Sequence, residues 1–252
     1  MKKRKTIAIF DSGIGGLTLL KDCYQHFRGV NFIYLADNSN MPYGNKSAYE
    51  IFVSTKKSLE NLQEYSIDAL VLGCNTVTAI CVEKFRADSS FQYPIFGVEP
   101  AILPALKSVK EEDLQILLLA TNATLQSKRV QNLLHKHNAK GKIVCHAPVE
   151  LATQIEKNIL QLYGVEWSKF LPEGKFSGVI LGCTHYIHIA KYIKKHFQTA
   201  IFDGNIGTVN HMHKKLQILE NMGDNSENFV KFIGKNAEFN AKIFDEMLKN
   251  SD

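Results

Sequence analysis

Two hexapeptides far apart in this chain share one pattern. Val71-Leu72-Gly73-Cys74-Asn75-Thr76 and Ile180-Leu181-Gly182-Cys183-Thr184-His185 each run from an apolar strand into Gly-Cys, a small polar residue and a helix start. Buried parallel strands are generally rich in Val, Ile and Leu, so the apolar parts alone would mean little. The shared Gly-Cys-polar tail points to two structurally related halves.

The rest of the chain fits that reading. Strands are expected over 6–10, 31–35, 69–73, 93–98, 115–120, 142–146 and 178–182. Helices are expected from about 17 and over 48–64, 77–86, 124–137, 150–163 and 187–197. Strand followed by helix, repeated, predicts an α/β fold of two similar parallel-sheet α/β domains, with the active site in the cleft between them. Pro100 and Pro104 interrupt the pattern, so the first domain is expected to comprise 1–97 plus 206–252 and the second 98–205. A strand at 228–233 and a helix from about Ala237 would return to the first half.

Composition narrows the function classes. A chain of 252 residues with 45% hydrophobic and 22% charged residues can bury ample core. The net charge of +5 is mild, and Lys2-Lys3-Arg4-Lys5 lacks interleaved aromatics, so no nucleic-acid partner is expected. The run Ile7-Ala8-Ile9-Phe10 is too short for a signal peptide, and no other run approaches a membrane span. The cysteines, 23, 74, 81, 145 and 183, are odd in number and without framework spacing, which suits a reduced, cytoplasmic protein.

Open α/β sheets bind ligands at the carboxyl ends of their strands. Asp11-Ser12-Gly13, Cys74-Asn75-Thr76, Thr121 through Thr124, and Cys183-Thr184-His185 all fall there. A helix start favours anions and should make a cysteine a stronger acid than a free one. Two such thiols, one from each half, could face each other across a cleft. Inverting a stereocentre by proton transfer needs a base on one face and an acid on the other. The competing readings are ordinary: a free cysteine is usually a small buried hydrophobe, and Asp11, Ser12, Asn75 and Thr184 are all common N-cap types. Cys183, His185 and His188 cluster in sequence, yet without Cys-x-x-Cys or His-Glu-x-x-His no metal is expected. The loop Asp11-Ser12-Gly13-Ile14-Gly15-Gly16 carries only part of a dinucleotide fingerprint, because Thr18 stands where the third glycine belongs. A loop presenting backbone N–H groups to a carboxylate explains the same glycines.

Phe10-Asp11-Ser12-Gly13-Ile14-Gly15-Gly16-Leu17, Pro42-Tyr43-Gly44, Gly73-Cys74-Asn75-Thr76, Gly97-Val98-Glu99-Pro100, Thr121-x-x-Thr124-x-x-Ser127, Gly182-Cys183-Thr184-His185 and Asp203-Gly204 occur in that order. Together they resemble the motifs of the glutamate racemases. The resemblance implies interconversion of L- and D-glutamate without a cofactor, supplying D-glutamate for peptidoglycan, with a homodimer as a candidate assembly. It further implies that Cys74 and Cys183 exchange the α-proton, Asp11 assists Cys74, and His185 assists Cys183. Ser12, Pro42, Tyr43 and Gly44 would hold the side-chain carboxylate. Asn75, Thr76, Thr121, Thr124 and Thr184 would hold the α-carboxylate and ammonium.

The chain departs from the family pattern in places. Ala36-Asp37-Asn38-Ser39-Asn40-Met41 stands where the family usually has Gly-Asp-Ser/Thr-Ala-Arg, so the arginine is absent, and Val77 replaces an alanine. A glutamate that assists the second cysteine in the family is matched here by Glu156 or, less well, by Glu150. Other readings are a related aspartate or hydantoin racemase and a non-catalytic regulatory protein that keeps the fold. Retention of both cysteines speaks against the latter.

Overall fold

The computed structural model describes residues 4–109, 115–218 and 227–250. The first half runs β1 (Thr6–Asp11), α1 (Leu17–His26), β2 (Asn31–Ala36), α2 (Ala48–Leu59), β3 (Ala69–Leu72), α3 (Asn75–Ala87) and β4 (Ile95–Gly97). The second runs α4 (Ile102–Ser108), β5 (Ile116–Ala120), α5 (Asn122–Gln126), α6 (Lys128–Lys136), β6 (Ile143–His146), α7 (Leu151–Asn158), β7 (Gly178–Gly182), α8 (Thr184–Ile187), α9 (Ala190–Phe197) and β8 (Ile201–Asp203). The chain then continues through α10 (Asn205–Leu216), β9 (Phe229–Ile233) and α11 (Ala237–Lys249).

Among the described residues there are two sheets, ordered β4-β3-β1-β2-β9 and β6-β5-β7-β8, and every pairing is parallel. β2-β1-β3-β4 and β6-β5-β7-β8 have the same topology. The Gly-Cys segments therefore follow equivalent strands, β3 and β7, and the near-repeat is structural. In each sheet the strand order reverses beside the first strand, between β1 and β3 and between β5 and β7. That crevice at the carboxyl ends is where open α/β sheets hold ligands.

Each sheet is covered on both faces, which is why its strands read as continuous apolar runs. Along β1 the side chains alternate. Ile7 and Ile9 pack with Leu17 and Leu20 of α1, Val209 and Met212 of α10, and Ile243 and Phe244 of α11. Ala8 and Phe10 pack with Ile51 of α2 and Val77, Val82 and Phe85 of α3. In the second sheet, Leu117 and Leu119 face Ile155, Tyr186 and Ile193. Leu118 and Ile180 face Ile102 and Val130. β9 pairs with β2, and α10 and α11 both pack on that first sheet.

Three expected helices are interrupted. The 124–137 stretch divides at Ser127, whose backbone is extended; its Oγ accepts from the Val130 N–H and donates to Thr124 O. Thr121 caps α5 in the same way, accepting from the Thr124 N–H. The Thr-x-x-Thr-x-x-Ser spacing is therefore two successive N-caps. The 150–163 helix tightens into 3-10 turns after Asn158, and the 187–197 helix is preceded by the separate turn α8. The half-buried strand β8 is too short to show an apolar pattern in sequence.

Candidate active site

Asp11 ends β1 and Ser12 follows it; Thr121 occupies the equivalent place after β5. Cys74 and Cys183 are the N-cap residues of α3 and α8, and neither forms a side-chain cap hydrogen bond. The N-cap residue of α1 is Gly16. Asp11, Ser12, Asn75 and Thr184 thus cap no helix, and that ordinary explanation of them falls.

Both sulfurs reach one cavity enclosing about 580 Å³, part of it open to solvent. Its wall includes Ser12, Pro42, Tyr43, Gly44, Cys74, Thr76, Thr121, Cys183 and His185. Each thiol is 6% exposed, so both are largely withdrawn from water yet open to this space. Asp11, Asn75, Thr124, Glu156 and Thr184 are not part of that wall. Asn75 Nδ2 donates to Val98 O at 3.3 Å, tying α3 to the crossover between the halves. Thr76, Thr121 and Thr124 bring three hydroxyls within 2.8–3.2 Å of one another across the two halves.

The wall also contains residues that the motifs did not single out: Met41, Asn45, Asn122, the 147–149 segment, Ala152, Thr153 and Tyr186. Tyr186 follows the second cysteine motif directly and could have been suspected from that. The 147–149 segment arrives only because β6 lies beside β5, and no local pattern marks it. Glu150 lies at this rim, exposed and with φ 62°, at the start of α7.

Each thiol has its own polar partners. Cys74 Sγ lies 3.7 Å from Ser12 Oγ. Burial, reinforced by the nearby Asp11 carboxylate, pushes its pKa up to about 12, while the Val77 N–H pulls the other way. The expectation of a stronger acid at the helix start is therefore corrected for Cys74: desolvation of the thiolate outweighs the helix N–H groups. Cys183 Sγ lies 4.0 Å from His185 Nδ1, and His185 Nε2 lies 2.7 Å from Glu156 Oε2. Burial disfavours a charged imidazole, but Cys183 and Glu156 overcome it and hold the His185 pKa well above its usual value. Burial likewise works against the Glu156 carboxylate, yet His185 and the Ile14 N–H bring its pKa below the usual range. Of the two candidate glutamates, Glu156 is the one joined to His185.

The glycine loop is a contact between the halves. The Ile14 N–H donates to Glu156 Oε2 at 3.0 Å, so the loop does present an N–H to a carboxylate, one supplied by the protein itself. A Cβ on Gly13 would sit 2.5 Å from Glu156 Oε2, and one on Gly15 2.6 Å from His185 Nδ1. Close approach is what demands glycine here. Thr184 Oγ1 donates to Asp11 Oδ2 at 3.1 Å across the same boundary. Among the described residues, no group of three His, Cys, Asp or Glu side chains is placed to hold a metal, and no helix is long and apolar enough to cross a membrane.

Two matched α/β lobes thus bring two thiols to one cleft, each beside polar side chains of its own. A family model described as Asp/Glu/Hydantoin racemase matches residues 19–212, and the chain belongs to that family. It is 31% identical to a glutamate racemase of Leptospira interrogans, covering 98% of both chains. The structure resembles glutamate racemase from Campylobacter jejuni with a TM-score of 0.80 at 24% identity, covering 98% of this chain and 99% of that one. It also resembles glutamate racemase from Aquifex pyrophilus, with a TM-score of 0.66 at 30% identity, covering 95% and 94%.

Proposed function

We propose that this protein is a cofactor-independent glutamate racemase that works through Cys74 and Cys183. The observation that carries the reading is the pair of thiols at equivalent strand ends, open to one small cavity. The relatives named above, glutamate racemases matched along nearly the whole chain, support glutamate as substrate.

In one direction the Cys74 thiolate removes the α-proton of D-glutamate, and the C–H electron pair remains on the α-carbon. The Cys183 thiol then delivers its proton to the opposite face. The product leaves with thiol and thiolate exchanged, and L-glutamate reacts by the reverse sequence. Burial pushes the Cys74 thiol up to about 12; the substrate ammonium brings the positive charge that favours the thiolate. Asp11 assists Cys74, and Glu156 acts through His185 on Cys183.

Ser12, Tyr43 and Gly44 bind the side-chain carboxylate, and the Thr76, Thr121 and Thr124 hydroxyls serve the α-substituents. These neutral donors add no full charge to the cleft. Residues 1–97 with 206–252 form one domain and 98–205 the other, and the D-glutamate formed serves peptidoglycan synthesis in the cytoplasm.

Circular dichroism of L- and D-glutamate incubated with the purified protein tests this, with aspartate as the control substrate. Each glutamate enantiomer should racemise without added cofactor. Cys74→Ala and Cys183→Ala should each lower the rate by at least about 10²–10⁴-fold, the usual worth of a positioned acid or base, with unchanged far-ultraviolet spectra. Near-normal turnover in either variant would refute the two-thiol assignment.

A further inference from the structure

The Glu156 carboxylate, which belongs to the second half, is held largely by the first. Oε2 meets His185 Nε2 at 2.7 Å and the Ile14 N–H at 3.0 Å. Oε1 accepts from Asn38 Nδ2 at 2.9 Å, from the loop that follows β2. A carboxylate can only accept, so the Asn38 amide must turn its nitrogen toward Glu156. That choice leaves Asn38 Oδ1 buried without a hydrogen-bond partner. An orphaned buried acceptor is unfavourable by itself, and the contact to Glu156 is what the amide gains in exchange.

The neighbouring polar residues of this loop do something different. Asp37 accepts from Tyr43 Oη at 2.5 Å and from Asn40 Nδ2, all within the first half. Asn38 alone of this group reaches across to the second half. It occupies the place where the resemblance noted above has Ser or Thr, which are shorter donors.

We propose that Asn38 is a positioning residue that fixes the Glu156 carboxylate against His185 and so sets the acid–base state of the Cys183 side of the cleft. The proposal rests on the racemase reading only for its kinetic consequence. The charged and titratable groups facing Glu156 are His185 and His188 at α8, Asp11 at the end of β1 and Tyr34 on β2. His185 and His188 favour ionised Glu156, whereas the Asp11 charge opposes it. Asn38 adds a donor on the oxygen that His185 does not touch.

The test compares wild type, Asn38→Ala, Asn38→Asp and Asn38→Thr. One readout is the carboxyl carbon-13 titration of Glu156 without substrate; the other is the pH profile of kcat and kcat/KM. Losing a donor to a charged carboxylate makes it more basic, so in Asn38→Ala the Glu156 titration should move up by roughly half a unit or more. The acid limb of the rate profile should move with it. At the optimum kcat should drop about tenfold while KM changes less than about twofold.

Asn38→Asp places a like charge beside Glu156 and should move both readouts further, whereas Asn38→Thr keeps a donor and should return them toward wild type. An unmoved Glu156 titration in both Asn38→Ala and Asn38→Asp overturns the proposal. If Asn38→Ala does not fold, the near-isosteric Asn38→Asp decides. Wild type inactive on glutamate, with the Glu156 shift present, would sink the racemase reading and leave the positioning role standing.

Discussion

Asp11 is fully buried, yet it accepts hydrogen bonds from the Gly13 N–H and the Thr184 hydroxyl. Burial is the larger effect and pushes its carboxyl pKa up to about 6. A carboxyl whose folded pKa is raised stabilises the fold at low pH, below its unfolded value of about 4. That contribution fades as pH rises through about 6. The ionised form near neutrality therefore costs up to about 3 kcal/mol of stability. Asp11→Asn should melt higher than wild type at pH 7, with the difference vanishing near pH 4, and should racemise poorly. Thermal unfolding at the two pH values checks the first part; equal melting temperatures at pH 7 would show that Asp11 carries no such strain. A group kept charged against a stability penalty is what a functional carboxylate looks like.

At the scale of elements, the loop between β1 and α1 and the turn into α8 are shaped by each other. Gly15 lies so close to Thr184 and His185 that a Cβ would overlap Thr184 Oγ1, His185 Nδ1 and the His185 backbone N–H together. Gly15→Ala should push α8 away from the loop, lowering both kcat and melting temperature; a loss of at least tenfold in kcat is expected, since small misplacements of positioned groups are costly. Gly207, exposed within α10, has no atom within 4 Å of its would-be Cβ. Gly207→Ala should instead stabilise the protein by roughly 0.5–1 kcal/mol, the helix-propensity difference, with activity unchanged. Paired melting curves and rates would show whether Gly15 is constrained by the partner half or by its own backbone. The same scale explains why some expected helices were too long: the caps at Thr121 and Ser127 were visible as residue types, but which of them would leave helical geometry depended on what packed around them.

For the molecule as a whole, the return of β9 and α11 to the first sheet is the feature with the clearest consequence. β9 pairs with β2 from Asn31 to Leu35, and α11 buries Ile243 and Phe244 against α1 and the sheet. A chain ending at Leu216 would lose both side chains, at about 1.5–3 kcal/mol each, and would leave β2 as an open edge. Such a truncation should unfold at a lower temperature and aggregate. If it melted like the untruncated chain, the placement of β9 and α11 in the first domain would be wrong. The cross-boundary contacts Thr184–Asp11, Ile14–Glu156 and Asn38–Glu156 have a further global meaning: buried carboxylates of each half are hydrogen-bonded by the other.

Much of this was legible in the chain of residues. The parallel sheets, the matched Gly-Cys strand ends and the order of motifs are local patterns, because strand burial and strand-to-helix transitions leave their mark on neighbouring residues. Glu156 was the better match than Glu150 to the family pattern, but spacing alone could not show what it would touch. Only folding brought its carboxylate to His185 and turned Glu150 outward to the rim. The acidity of Cys74 was misjudged for the same reason: a helix start is a local feature, whereas desolvation and the charge of Asp11 come from residues distant in sequence. Order along the chain thus determined which chemical groups were available. Three-dimensional packing decided which were dry, which were charged and which touched, because burial and Coulomb interactions depend on distance in space.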